Sequence, residues 1–161
     1  LVGVAGDPAE DRHVRRLALE SAGAFGREPG VRALIVDAYE SDDQADRGSA
    51  VYAMGQSLDR SWLPSLLDEL ASDESVMRYE AARACGSIGS DAAVPELLAA
   101  MDGEEDVEVR HAVIAALGQI GGRSAVRALR TLVEHAEDAD EASIEAALEE
   151  AATLDHEDDR R

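Results

Sequence analysis

Few side chains in this 161-residue sequence have the type and spacing of a reactive centre. The one cysteine, Cys85, could act as a thiolate, but it sits at an apolar position of a repeated pattern, where a small buried thiol is inert. His156 and Glu157 form an adjacent His-Glu pair able to offer a nitrogen and an oxygen to a metal, yet they lie in an acidic run that reads as a solvated tail. No Gly-x-Ser-x-Gly stretch marks a nucleophilic serine, and no serine is tied by spacing to a histidine and an acid. Gly118, Gly121 and Gly122 fall at helix ends and read as packing and turn residues rather than a phosphate loop. The sequence therefore assigns no catalytic residue, no cofactor-binding residue and no metal ligand.

Recognition chemistry, by contrast, recurs at constant intervals. Arg15, Arg47, Arg78 and Arg110 are 32, 31 and 32 residues apart, and eight places after each stands Gly23, Gly55, Gly86 or Gly118. Eleven places after come Gly26, Leu58, Gly89 and Gly121. Positions three, four and seven places on are apolar, for example Ala22, Met54, Cys85 and Leu117, which is one face of a helix. The columns between them are exposed: Arg16, Gly48, Tyr79 and His111 at one place on; Glu20, Tyr52, Arg83 and Ala115 at five; Ala24, Gln56, Ser87 and Gln119 at nine. Tyrosine and arginine dominate interface hot spots, so Tyr52, Gln56, Tyr79, Arg83, His111 and Gln119 are the candidate residues for holding a peptide or protein.

A second apolar pattern, Val31 with Leu34, Leu63 with Leu66, Val94 with Leu97 and Val126 with Leu129, keeps the same intervals. Two columns with one period indicate stacked helical hairpins. The chain is expected to be all-α, one domain over 1–154, with units near 30–58, 61–89, 92–121 and 124–154, and a disordered acidic tail over 155–161. A leading helix over 8–26 would start at Asp7-Pro8-Ala9-Glu10, with a capping carboxylate, a first-turn proline and an acid. The six residues before it are too few for a partner helix, so the sequence is expected to be a fragment of a longer protein. Each glycine inside a helix costs about 1 kcal/mol against alanine, so an aligned column of them implies close helix approach. In the last unit Glu141 takes the arginine place and Glu149 the glycine place, as expected of a capping repeat.

The stretch Val109-Arg110-His111-Ala112-Val113-Ile114-Ala115-Ala116-Leu117-Gly118-Gln119-Ile120-Gly121, with Val126 and Leu129 after it, resembles a HEAT repeat of the bilin-lyase-like subtype, and Met77 to Leu98 does so equally. The resemblance implies a right-handed α-α superhelix of about four hairpins plus one leading helix, with the second helices on the concave side. The same resemblance brings in the deoxyhypusine hydroxylases, HEAT-like enzymes that hold two irons with His-Glu pairs directly after the arginine column. Here those positions read Arg16-Leu17, Gly48-Ser49, Tyr79-Glu80 and His111-Ala112, so no unit keeps the pair. The expectation is thus a non-catalytic interaction scaffold, not an enzyme, binding a partner on the concave face. The alternative is a bilin-lyase-like or metal-dependent enzyme or accessory subunit.

Charge narrows the partners. The 35 acidic against 15 basic residues give a net charge of −20, which disfavours phosphate backbones and anionic membranes, so neither nucleic acid nor membrane is expected. Every basic residue is arginine, and the acidity also fits a salt-adapted origin. The acids Asp42-Asp43, Asp73-Glu74, Glu104-Glu105-Asp106 and Glu137-Asp138 with Asp140-Glu141 recur in the loop inside each hairpin. They would stack into a ridge able to attract a basic partner, or serve as helix caps bonded by the arginine column. Trp62 is expected to pack at a hairpin edge. A lone cysteine and the lack of an export signal point to the cytoplasm.

Overall fold

Alanine, leucine and a near absence of aromatic residues leave close-packed helices as the way to bury apolar area, and the helices form where the periodic columns place them. The computed structural model describes residues 1–134 and 138–158, with 138, 139 and 155–158 described by backbone alone. Among them there is no strand. The helices run α1 Val2–Ala5, α2 Arg12–Ala22, α3 Pro29–Tyr39, α4 Gln44–Gln56, α5 Leu63–Glu69, α6 Ser75–Ile88, α7 Val94–Ala100, α8 Val107–Ile120, α9 Gly122–Val133 and α10 Asp138–Asp158. Each odd-numbered helix packs against the even-numbered one that follows it, and the even-numbered helices stack on each other, α2 on α4, α4 on α6, α6 on α8 and α8 on α10. This is a helical solenoid.

The ends of the helices follow from local chemistry. Asp43 and Asp106 cap α4 and α8, their carboxylates accepting from backbone amides two and three residues on at 2.9–3.4 Å. Pro29, Pro64 and Pro95 sit in the first turns of α3, α5 and α7, where no amide is missed. Gly89 and Gly121 follow α6 and α8 at φ of +63° and +64°. Leu58, in the same repeat column, adopts φ +51°, a left-handed conformation that costs a leucine about 1 kcal/mol.

The leading helix differs from its expected span. Asp11, not Asp7, caps it, accepting from His13 and Val14 amides at 2.9 and 3.3 Å, so α2 begins at Arg12 and Pro8 lies in the turn before it. The six preceding residues do supply a one-turn partner, α1, packed against α2 and α3. At the other end α10 continues to Asp158, past 154; residues 159–161 of the expected tail lie outside the described residues.

Ile35, Met54, Leu66, Leu97, Leu117 and Leu129 fill the centre, all fully buried. Between stacked even-numbered helices the spacing is set by glycine. A Cβ built on Gly55 would stand 2.8 Å from the Ala84 Cα, on Gly86 2.9 Å from the Ala116 Cα, and on Gly118 3.0 Å from the Ala147 Cα. Each glycine thus seats on the alanine two places before the next unit's glycine position, and no larger side chain fits.

Arginine closes the hairpin edge. Arg78 donates from Nη1 to the carbonyls of Ser72 and Asp73 at 2.8 and 3.2 Å, and from Nε and Nη2 to both oxygens of Glu104 in the next unit at 2.7 and 2.9 Å. Arg47 reaches the Ser41 and Asp42 carbonyls and Glu74; Arg110 reaches the Glu104 and Glu105 carbonyls and Asp140. Arg47, Arg78 and Arg110 thus bind their loops to their own helices and to the next repeat, while Arg15 Nε, in the same column, is buried without a hydrogen-bond partner.

Candidate functional site

Helices α4, α6 and α8 hold their buried faces by the apolar and glycine columns, which fixes the columns between as an outward strip. Arg83, one helical turn after Tyr79 on α6, places its guanidinium 5.5 Å from the Tyr79 ring centroid and 5.9 Å from that of Tyr52 on α4. Both rings attract the cation with their faces. The Arg83 side chain is 48% exposed, and the Glu80 carboxylate stands loosely beside it at 3.6 Å. Burial pushes the Glu80 carboxyl up from its usual range, Arg83 opposes this, and Glu20 adds to it. Glu80 Oε2 is buried without a hydrogen-bond partner.

Two hollows flank Arg83. One, about 410 Å³, is lined by Tyr79, Arg83, Ser87, Glu108, His111 and Gln119. The other, about 590 Å³, is lined by Glu20, Gly48, Ser49, Tyr52, Glu80 and Arg83, with the Ser49 hydroxyl donating to Glu20 at 2.6 Å. Gln56 borders the narrow junction with Tyr52 and Ser87. The six candidate residues therefore line one connected strip around Arg83. His111 Nε2 stands 3.2 Å from Asp140 Oδ1, a carboxylate that Arg110 already occupies through its other oxygen. Sequence reasoning passed over Glu20, Glu80 and Glu108 as contributors; the acids of the strip were visible in the columns only at Glu20, because the others fall on places that are apolar or small in neighbouring units.

A further cavity, also about 410 Å³, opens at the hairpin edge between α5 and α7, beside Leu67, Leu70, Arg78 and Glu104. Of its four charged groups, Arg78 and Glu104 are spent on each other in a bidentate pair, which holds the Glu104 carboxyl below its usual range, and the other two are the acids Glu96 and Asp102. Arg83 makes no bidentate pair of this kind and meets Glu80 at 3.6 Å.

Other singled-out residues are structural. Cys85 is fully buried, and burial pushes its thiol up to about 12, well away from a reactive thiolate. Trp62 is buried, with the Arg32 guanidinium 4.0 Å over its ring and Arg32 tied to Asp59 at 3.1 Å. The acidic ridge is partly consumed: Glu74, Glu104 and Asp140 receive arginines, and Asp43 and Asp106 cap helices. Asp42, Asp73 and Glu105 remain exposed. Glu137 and the side chains of Asp138, His156 and Glu157 lie outside the described residues.

The family described as HEAT repeats matches residues 63–160. A bilin biosynthesis protein, PecE of Mastigocladus laminosus, is 44% identical over 78 residues, covering 48% of this chain and 28% of that protein. Bovine deoxyhypusine hydroxylase (Bos taurus) is 34% identical over 160 residues, covering 92% of this chain and 52% of the enzyme. The chain thus spans about half, or less, of these curated relatives. In the solved complex of CpcE and CpcF of phycocyanin lyase from Nostoc sp. PCC7120, a chain 20% identical to this one superposes with a TM-score of 0.71, covering 94% of this chain and 64% of that one, which shows the fold.

These relatives correct one expectation. A chain akin to a hydroxylase and to bilin biosynthesis proteins cannot be set down as a non-enzyme on the absence of a familiar motif, and that exclusion is withdrawn. The paired-iron chemistry implied by resemblance to the hydroxylases does not fit these residues. Tyr79-Glu80 and His111-Ala112 each offer half a pair, and among the described residues no three His, Cys, Asp or Glu side chains converge as a metal site. Nor is any described helix long and apolar enough to cross a membrane.

Proposed function

Because the chain belongs to the HEAT-repeat family, we propose that it is a protein-recognition solenoid, one body over 1–154, that holds an extended segment of a partner protein along the strip of α4, α6 and α8. The observation that carries this reading is Arg83: a half-exposed guanidinium between tyrosines of successive repeats, with hollows on both sides and a single loose contact of 3.6 Å to Glu80 among the described ion pairs. Tyr52, Tyr79 and Arg83 would serve as anchors, while Gln56, His111 and Gln119 would supply hydrogen bonds to a bound backbone. A cytoplasmic setting goes with this proposal.

A second reading is favoured by the identity to bilin biosynthesis proteins: the same strip would work in a bilin-lyase-like subunit, with the bound segment belonging to the protein that such a subunit serves. Both readings use one surface. Peptides selected from a displayed random library against the purified chain should lose at least about tenfold in affinity on the Tyr79→Ala, Arg83→Ala double variant, since each hot spot is worth about 1–2 kcal/mol. Its helical content and unfolding midpoint should be unchanged. Selected peptides that bind the double variant as well as the parent would overturn the proposal.

A further inference from the structure

The larger of the two hollows beside Arg83 has a lining of mixed chemistry. Val76, Glu80 and Arg83 follow one another along one face of α6, and Gly48 and Tyr52 do so along α4, because residues three or four apart share a helix face. With Glu20 of α2 they line a space of about 590 Å³, a size that takes a side chain or a small ligand. Gly48 leaves it open, since a Cβ there would meet nothing within 4 Å. Part of the lining is apolar: the Tyr52 ring, and Val76, which is 53% exposed.

Its charges do not balance. Glu20 and Glu80 bring two carboxylates from helices two units apart, and Arg83 is the one cation of the lining among the described residues. Glu20 enters no ion pair among the described residues, and its Oε1 accepts the Ser49 hydroxyl at 2.6 Å. Glu80, its side chain 20% exposed, meets Arg83 only at 3.6 Å, and the Tyr52 and Tyr79 rings draw the same guanidinium. The Glu80 carboxyl, raised by burial and further by Glu20 despite Arg83, fits this shortage of positive charge. A segment laid over the hollow takes water from both carboxylates. An acidic or neutral side chain there would leave one negative charge uncompensated in a drier site, which is strongly disfavoured, whereas a single cation cancels it. No third His, Cys, Asp or Glu among the described residues joins the two acids as a metal site.

We propose that this hollow is a specificity pocket for one lysine or arginine side chain of the bound segment, its aliphatic stem on Tyr52 and Val76 and its charged end at Glu20 and Glu80. The proposal rests on the reading of the strip as a surface that holds a partner segment, and adds which side chain that segment carries and where. The hollow on the other side of Arg83 sets one acid, Glu108, against Arg83 with His111 beside it, and has no such shortage. The basic residue therefore belongs at the α2 side of Arg83, and the pocket rejects segments that bring an acid there.

Peptides selected from a displayed random library on the parent chain supply the test, at physiological ionic strength, where charges beyond about 8 Å are largely screened. Those that depend on Tyr79 and Arg83 should share a lysine or arginine at one position. Replacing that residue with alanine should weaken binding to the parent about tenfold, but binding to the Glu20→Gln, Glu80→Gln variant less than about twofold. Glu20→Gln alone, which leaves the more buried acid in place, should reduce the loss to about threefold. Removing two acids from the hairpin edge instead, Asp42→Asn with Asp73→Asn, should keep the tenfold loss, which separates the pocket from the general pull of a chain of net charge −20 on basic peptides. A shared acid, no shared charge, or a loss that persists in the double glutamine variant would overturn the pocket and leave the strip as the binding surface. Peptides indifferent to Tyr79 and Arg83 would remove the strip, and the pocket with it.

Discussion

Gly48 and Gly55 lie seven residues apart on α4, and they face different worlds. Gly55 is in the stacking seam, with the Ala84 Cα and Cβ both 2.8 Å from where its own Cβ would be. Gly48 borders the hollow beside Tyr52 and Arg83, and a Cβ there would meet nothing within 4 Å. The same residue type is obligatory in one place and dispensable for packing in the other. The seam brings the repeats together by excluding side chains, whereas the strip keeps open volume beside polar groups.

The largest effect should come from filling the seam. Gly55→Val would force the α4 and α6 backbones apart and should cost about 3 kcal/mol, the upper range for overpacking, despite the better helix propensity of valine. Urea unfolding followed by circular dichroism measures it. A loss under about 1 kcal/mol would show that the seam adjusts freely and that the contrast with the strip is one of degree.

How much of this contrast could be read beforehand depends on whether it repeats. The seam was legible because stacking copies one contact at every interface: Gly23, Gly55, Gly86 and Gly118 form a column, and so do the arginines. The capping roles of Asp43 and Asp106 followed from local chemistry that a sequence displays directly. The arginine bonds across units were less visible, because the carboxylate they meet shifts place, from Glu74 to Glu104 to Asp140. The leading helix begins later than Asp7-Pro8 suggests because the Asp11 carboxylate accepts from the His13 and Val14 amides, leaving Pro8 in the turn between α1 and α2. The strip was legible as a set of residues. Arg83 resting between two rings, and Glu80 left without a hydrogen bond at Oε2, were not, since single side chains that do not recur leave no periodic trace.

Acid should separate the hairpin edge from the strip by sign. The Arg78 hydrogen bonds hold Glu104 below the usual carboxylate range, so its contribution is fully present above the unfolded value near 4.3 and is lost as pH falls through the lower folded value. Glu80, pushed up by burial, behaves oppositely: its charged form opposes folding at neutral pH, and that cost is relieved as pH falls through its raised value. Glu104→Gln should therefore lower neutral stability by about 1–2 kcal/mol, discounted for the partial exposure of Arg78, and flatten the acid limb of a urea-midpoint profile from pH 7 to 3.5. Glu80→Gln should make that limb steeper. Parallel acid limbs for the two variants would mean that edge and strip titrate alike.

The smallest effect is the most discriminating, because it has the opposite sign from the first. Gly48→Ala replaces a helix-interior glycine at a place with room for a methyl group, so it should stabilise the fold by about 0.5–1 kcal/mol, largely by restricting the unfolded chain. The added methyl group would project into the hollow lined by Tyr52, Glu80 and Arg83, so the same variant should also weaken peptides selected on the strip. Higher stability with weaker binding is the pattern expected if Gly48 serves the open surface at the expense of the helix. Higher stability with unchanged binding would leave the glycine without a role in recognition and move the bound segment toward Tyr79 and His111.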